Sequence, residues 1–241
     1  MVQAPPVFEE MPVFVSWSGG KDCSLACYHA IKNGLDVRYL VSTIDKTSRL
    51  GAHALTPCVL EMQAQAIGIP LIKIPITVDN YDVKFRKLIH KIKKDGIRGG
   101  VFGDVNLGNG EAKIHKQWID GVCKPSGIKS YLPLWDINRE KLIKEIIELG
   151  FDVIIIVAEK KRLGSEWLGR RLDKELLAEL KRRHELSPTG EVGYYHTFVV
   201  DGPIFKKRLE ILESNSILRC DEWGCNWYMD IKKCQLREKG V

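Results

Sequence analysis

Several features that define other protein classes are missing from this chain of 241 residues. No segment repeats with a period of roughly 20 to 50 residues and none is low in complexity, which excludes solenoids and linker-dominated architectures. The longest aliphatic run, residues 153–158, is too short to cross a bilayer, and Glu9 and Glu10 stand where a signal peptide carries basic residues. We therefore expect neither membrane insertion nor secretion.

Cysteine is scarce and offers no regular framework. The seven cysteines are an odd number and no two of them form a C-x-x-C pair, which is typical of reduced thiols in the cytosol. Cys220, Cys225 and Cys234 lie close in the sequence, but their spacing does not match zinc or iron–sulfur signatures, and a role beyond packing is left open. We expect a cytoplasmic protein without a disulfide scaffold.

Neither basic nor acidic residues are in large enough excess to assign the chain to a functional class. The chain carries 37 lysines and arginines against 31 acidic residues, a formal net charge of +6. This mild excess is compatible with a phosphorylated ligand or an acidic partner, but it falls short of a dedicated nucleic-acid binder. We therefore expect no membrane and no sequence-specific nucleic acid among its partners, and a homodimer is left open.

What the sequence does contain is an alternation of short apolar runs and amphipathic segments. The predicted strands are residues 13–17, 36–43, 71–76, 99–102, 153–157 and 195–200, with an extended segment around 227–231. The alternation predicts an α/β fold, with a parallel sheet and helices on both faces. Residues 104–110, with two glycines and two asparagines, interrupt this alternation, which indicates a connection between two halves of the chain. We place the domain boundary there, with a first domain at 1–105 and a smaller α/β domain at 106–241.

The sharpest motif is the pentapeptide SGGKD at residues 18–22, where the first predicted strand turns into the first helix. Two adjacent glycines let the backbone approach a ligand closely, and a helix N-terminus directs N–H groups and a positive dipole end at it. An anion, most naturally a phosphate, fits there. The Walker pattern fails because Val15 and Asp22 stand where it needs Gly and Ser or Thr, and the G-x-G-x-x-G pattern fails as well.

This pentapeptide resembles the signature of the PP-loop ATP pyrophosphatases, which adenylate a substrate and release pyrophosphate. Five further strings narrow the resemblance: residues 66–71 (AIGIPL), 99–104 (GGVFGD), 131–135 (YLPLW), 168–170 (LGR) and 195–203 (YHTFVVDGP). Together they resemble the diphthine–ammonia ligase family. The resemblance implies a Rossmann-like, HUP-type nucleotide-binding domain, a family-specific second domain, and ATP-driven formation of an amide from a carboxylate and ammonia.

The family resemblance and the predicted parallel sheet together indicate which residues form the site. Lys21 would offset charge on the leaving pyrophosphate, Asp22 would hold Mg²⁺, and Ser24 would replace the hydroxyl lost at Cys23. Open α/β sheets bind ligands at the carboxyl ends of their strands, which adds residues that follow the later strands. The predicted ATP-binding residues are Ser18, Gly19, Gly20, Lys21, Asp22, Ser24, Ser42, His53, Gly103 and Asp104. The predicted catalytic residues are Lys21, Asp22, Glu191 and His196.

One segment departs from the family. Residues 190–197 read GEVGYYHT where diphthamide-making members resemble G-E-G-G-E-[FY]-E-T, so Tyr194 and His196 replace two acids. A His at position 196 resembles a sister branch linked to cobalamin metabolism. The nominal acceptor is diphthine on a translation elongation factor; the alternatives are the same chemistry on a cobalamin-related acid and a non-catalytic ATP- or AMP-binding protein. A thiolating tRNA enzyme is disfavoured because the first domain has no paired-cysteine site.

Overall fold

A computed structural model of the chain describes residues 10–44, 55–108, 110–182, 194–221 and 224–240. The chain divides into two compact units. The first unit comprises Met1–Trp17, Asp22–Thr47 and Ile69–Ile137, and the second comprises Ser18–Lys21, Ser48–Gly68 and Asn138–Val241.

Strands and helices alternate through the first two thirds of the chain, and strands dominate the last part. The strands are β1 (Pro12–Ser16), β2 (Asp36–Ile44), β3 (Leu71–Pro75), β4 (Gly99–Val101), β5 (Lys129–Tyr131), β6 (Asp152–Glu159), β7 (Tyr195–Asp201), β8 (Lys207–Asp221) and β9 (Gly224–Glu238). The α-helices are α1 (Lys21–Lys32), α2 (Pro57–Ile67), α3 (Tyr81–Lys94), α4 (Gly110–Cys123), α5 (Arg139–Glu148) and α6 (Lys174–Arg182).

The first unit is built on a five-stranded sheet in the order β3-β2-β1-β4-β5, and every pair in it is parallel. The three central residues of β1, Val13 to Val15, are completely buried, as expected for a strand covered on both faces. Phe85, Ile89 and Ile92 form the apolar stripe of α3 and pack in one core cluster with Phe14. The predicted α/β class with a parallel sheet is confirmed. The strand order reverses between β1 and β4, and open sheets bind ligands at such a switch point.

The second unit carries an antiparallel sheet in the order β7-β6-β9-β8. Its central strand β6 is the aliphatic run seen in the sequence, and residues 153–158 are all buried. Helix α2 belongs to this unit and contacts β8 and β9. The helix begins after Thr56 with Pro57 in its first turn and ends at Gly68, which adopts a φ of 84°.

The division of the chain differs from the boundary predicted near residue 105. The glycine-rich stretch after Gly103 is a loop within the first unit, because β5 pairs with β4 in the same sheet and the unit continues to Ile137. The second unit takes in more of the chain than the first, so the prediction that it is smaller is not met. Its sheet is antiparallel, since β7, β8 and β9 follow one another without intervening helices.

The C-terminal segment forms a long hairpin of β8 and β9 that the sequence reading reduced to one extended segment. Near its closed end Cys220 and Cys225 stand directly opposite each other and form a disulfide. The expectation that all cysteines are reduced is therefore wrong for this pair, because the hairpin register and not the sequence spacing brings the two residues together. Cys234 is a free thiol. No helix in the described ranges is long and apolar enough to cross a membrane.

Candidate functional site

The glycine loop between β1 and α1 turns at Gly19. This residue has a φ of 80°, a conformation that side chains other than glycine rarely adopt. A Cβ atom placed on Gly19 would lie 2.9 Å from Oε1 of Gln63 and 3.3 Å from the ring of Phe198. Both the backbone conformation and the close neighbours therefore require glycine at this position.

The carbonyl oxygen of Gly19 is held by two donors within the second unit. The backbone N–H of Val199 donates to it at 3.0 Å, and Nε2 of Gln63 donates to it at 3.0 Å. The same Nε2 donates to the carbonyl oxygen of Val199 at 2.7 Å, and Gln63 is completely buried. Gln63 thus bridges the loop and strand β7. Gln63 is not among the predicted site residues, although its position on the apolar face of α2, three residues after Leu60 and four before Ile67, was a readable signal.

The backbone of Lys21, in the second unit, is also bound by β7. The backbone N–H of Lys21 donates to Oγ1 of Thr197 at 3.2 Å, and the N–H of Gly20 donates to Oγ of Ser18 at 3.4 Å. Lys21 itself is buried, with 6% of its surface exposed. Thr197 belongs to a string that carried the family resemblance, but it is not among the predicted site residues. Its hydroxyl accepts from one of the N–H groups that open the helix, and this hydrogen bond fastens the end of the loop to β7.

His196 lies on β7 next to Thr197 and near the charge of Lys21. Burial, and to a smaller extent the positive charge of Lys21, lower the pKa of His196 to about 4. The imidazole is therefore neutral at pH 7. A neutral ring offers one donor and one acceptor, so His196 fits a hydrogen-bonding role and does not supply a cation.

In the first unit, the end of β4 approaches the start of α1. A Cβ atom on Gly103 would lie 2.7 Å from the backbone nitrogen of Cys23 and 2.8 Å from the carbonyl carbon of Asp22. Only glycine allows this approach, because the neighbouring atoms are backbone. The structure therefore brings together Asp22 and Gly103, two of the predicted residues, and Asp104 follows directly.

Asp104 forms an ion pair with His115 of α4 that the sequence analysis did not identify. Its Oδ1 lies 2.5 Å from Nδ1 of the imidazole. The hydrogen bond and charge of Asp104 raise the pKa of His115 despite partial burial, and burial followed by the charge of Asp104 raises the pKa of Tyr81 to about 12. The ring of His115 stacks on Trp118 at 5.5 Å. The result is a histidine oriented by a carboxylate at the carboxyl edge of β4.

The remaining predicted residues are placed as follows. The hydroxyl of Ser42 donates to the carbonyl oxygen of Trp17 at 2.6 Å, which fastens the end of β1 to β2. Ser24 is completely buried in α1. His53 and Glu191 lie outside the described residues. In the described part of the chain, no group of three or more His, Cys, Asp or Glu side chains is arranged to hold a metal ion.

Two family models cover nearly the whole chain in order. The model described as diphthamide synthase N-terminal domain matches residues 11–130, and the one described as diphthamide synthase C-terminal domain matches residues 138–236. Their junction agrees with the end of the first unit at Ile137.

The two curated relatives described here are both named diphthine–ammonia ligase. A diphthine–ammonia ligase from Schizosaccharomyces pombe is 26% identical over 234 residues, covering 90% of this chain and 38% of that protein. One from Homo sapiens is 24% identical over 248 residues, covering 92% of this chain and 91% of that protein. A solved structure described as a predicted subunit of tRNA methyltransferase from Methanocaldococcus jannaschii aligns with a TM-score of 0.44 and 18% identity over 80% of this chain and 98% of its own.

Proposed function

The chain is an enzyme of the diphthamide synthase family, and we propose that it is an ATP-dependent ligase that joins ammonia to a carboxylate and releases AMP and pyrophosphate. The nominal acceptor is diphthine on a translation elongation factor. The proposal draws on the names of the curated relatives and on the loop between β1 and α1.

The observation that carries the proposal is the fixed conformation of that loop. Gly19 has a backbone conformation and surroundings that admit only glycine, and hydrogen bonds from Gln63 and Val199 hold it. Helix α1 begins two residues later, so its dipole favours an anion at this point. A phosphate-binding loop that is already ordered loses little entropy when ATP binds.

The reaction needs ATP to be positioned and its charge to be offset. A carboxylate oxygen of the acceptor attacks the α-phosphorus, and pyrophosphate leaves with the bonding electron pair. Ammonia then attacks the acyl carbon, AMP leaves, and the nitrogen loses a proton to give the amide. In this scheme Lys21 binds the pyrophosphate, and the neutral imidazole of His196 hydrogen-bonds to the reacting groups.

Magnesium accompanies ATP in this proposal. Mg²⁺ in nucleotide sites is typically held by one or two carboxylates together with phosphate oxygens and water, so a large protein cage is not required. Asp22, in the first turn of α1, has the hard oxygen ligands that this ion prefers. When bound, the ion would neutralise phosphate charge.

The identity of the carboxylate rests on Tyr194 and His196. The ring of Tyr194 lies 4.4 Å below the guanidinium of Arg162, and His196 is neutral at pH 7. Neither replaces the carboxylate that diphthamide-making members carry at the corresponding positions. These two residues favour a second candidate function, in which the same chemistry acts on a cobalamin-related acid.

Product analysis tests the reaction class. ATP labelled on the α-phosphate, incubated with the protein, ammonium and an acceptor, should yield labelled AMP, while ATP labelled on the γ-phosphate should yield labelled pyrophosphate. The Lys21→Gln variant is the control and should lose turnover. ADP as the main product would refute the assignment, and ATP binding without turnover for any acceptor would favour a non-catalytic nucleotide-binding protein.

A further inference from the structure

Strand β8 is an exposed edge of the second unit's sheet. In the order β7-β6-β9-β8 it pairs with β9, and its other side has no partner strand among the described residues. Beyond an irregularity between Ile211 and Ser214, its pairing with β9 is regular to Asp221. The disulfide between Cys220 and Cys225 joins the two strands near their closed end. This edge is therefore long and held in an extended conformation.

The middle of this edge lacks the features that protect edge strands. Soluble proteins block such edges with charges, proline, bulges or short length. The register irregularity of β8 ends at Ser214. Residues 214–218 of β8 (SNSIL) contain neither a charge nor a proline. The side chains of Leu212 and Leu218 are 45% and 36% exposed. An exposed strand with these properties is suited to pair with another strand through its backbone.

We propose that two copies of the chain pair antiparallel along β8, around a twofold axis at Ser216. With the axis at this residue, Glu213 of each copy stands opposite Arg219 of the other, since each lies three positions from Ser216. The symmetric pairing therefore forms two ion pairs of opposite charge. It also sets Leu218 opposite Ser214 of the second copy, which covers part of an exposed apolar side chain.

Other registers lose this complementarity. A twofold axis at Ile217 places Glu213 opposite Asp221 of the second copy, so that like charges face each other. An axis at Asn215 places Glu213 opposite Ile217 and leaves Arg219 opposite Ile211. An axis between two residues would pair side chains that point to opposite faces of the sheet. The charges thus select Ser216 as the centre.

Both charged side chains are exposed, and each also has a neighbour on β9. Glu213 stands opposite Lys233, and Arg219 stands opposite Asn226 with its guanidinium 5.5 Å from the ring centre of Tyr228. Exposed ion pairs add little affinity, so we expect them to fix the register while the backbone hydrogen bonds supply the association.

Charge reversal tests the register. Light scattering of the full chain should give a mass of about twice 27.4 kDa at micromolar concentration. The variants Arg219→Glu and Glu213→Arg should each weaken dimerisation at least tenfold, and the double variant Glu213→Arg with Arg219→Glu should restore it. Lys87→Glu, a charge reversal at an exposed position of α3, should leave the mass unchanged. A monomeric wild-type chain, or single variants as dimeric as wild type, would overturn the proposal.

Cross-linking tests the axis independently of charge. In a chain carrying Cys58→Ser, which removes an exposed thiol, Ser216→Cys should form a covalent dimer under mild oxidation, because residue 216 faces its own copy. Leu218→Cys is the matched control: its counterpart lies about four residues away along the strands, roughly 13 Å, too far for a disulfide. Equal cross-linking of both variants, or of neither, would contradict an axis at Ser216.

Discussion

The side chain of Gln63 holds Gly19 from 44 positions away in the chain, through a hydrogen bond of 3.0 Å from Nε2 to the carbonyl oxygen. Its second bond, to Val199, makes the amide a bridge between the glycine loop and β7. A buried amide that donates to two carbonyl oxygens is costly to remove, because each oxygen then loses one donor, although that of Gly19 keeps the N–H of Val199. The shape of the loop therefore depends on a residue of α2 that is not among the predicted ATP-binding residues.

Removing this bridge should destabilise the protein. We expect Gln63→Ala to lower the free energy of unfolding by about 1–3 kcal/mol, since it strips a donor from two carbonyl oxygens and leaves a cavity. Urea unfolding followed by circular dichroism measures the change. Gln65→Ala, at an exposed position of the same helix, is the matched control and should change stability by less than about 0.5 kcal/mol. Equal losses in the two variants would contradict the role of Gln63.

The glycine loop should tolerate no side chain at its turn. We expect Gly19→Ala to weaken ATP binding at least tenfold while the chain stays folded, because the new methyl group meets Gln63 at 2.9 Å and strains a φ of 80°. Gly108→Ala provides the control, since Gly108 has a φ of 72° and no atom within 4 Å of its Cβ position. Titration calorimetry with ATP compares the two variants. Undiminished affinity in folded Gly19→Ala would remove the loop from the nucleotide site.

Much of the first unit could be predicted because its signals are local. The buried run of β1 with the two glycines after it, and the apolar stripe of α3, are each formed by residues that lie a few positions apart in the sequence. The partners of Gln63 and Thr197 could not be assigned in this way, since Gly19 and Lys21 lie 44 and 176 positions from them. Strand β8 was missed because it is largely exposed and polar, so no burial pattern marks it.

Asp104 should control the protonation of His115. A raised pKa means that the pair stabilises the folded chain below the ordinary histidine pKa and that this contribution disappears as the pH rises through the folded value. We expect an NMR titration to show a pKa for His115 above 6.5, and Asp104→Asn to lower it by removing the charge. A spectrum in which Asp104→Asn leaves the midpoint in place would show that the carboxylate does not act on this ring.

His196 should make stability depend on pH in the opposite direction. Its folded pKa of about 4 lies below the ordinary value of 6.5, so the unfolded chain takes up a proton that the folded chain resists. Stability should therefore be unaffected by this residue above pH 6.5 and should fall as the pH drops towards 4, by about 2–3 kcal/mol at pH 4.5.

Comparison with a variant isolates that contribution from other titrating groups. We expect His196→Gln to lose less stability than the wild-type chain between pH 7 and pH 4.5 in urea unfolding. His90→Gln, at an exposed histidine of α3, should follow the wild-type curve. If His196→Gln shows the same pH dependence as the wild-type chain, then the His196 ring takes up its proton between pH 7 and pH 4.5 in the folded wild-type chain, and its pKa is not lowered.

Restoring the two family acids should improve the amidation of diphthine. In the double variant Tyr194→Glu with His196→Glu, the first new carboxylate would lie beside Arg162, which already contacts Tyr194, and the second would replace a ring that senses the charge of Lys21. A carboxylate orients a cationic acceptor or ammonium in a way that a neutral phenol or imidazole does not. In cells lacking diphthine–ammonia ligase, we expect poor rescue by the unmodified chain and better rescue by the double variant at equal protein level. Full rescue by the unmodified chain would show instead that positions 194 and 196 do not select the acceptor. Diphthine would then be the substrate of the unmodified chain.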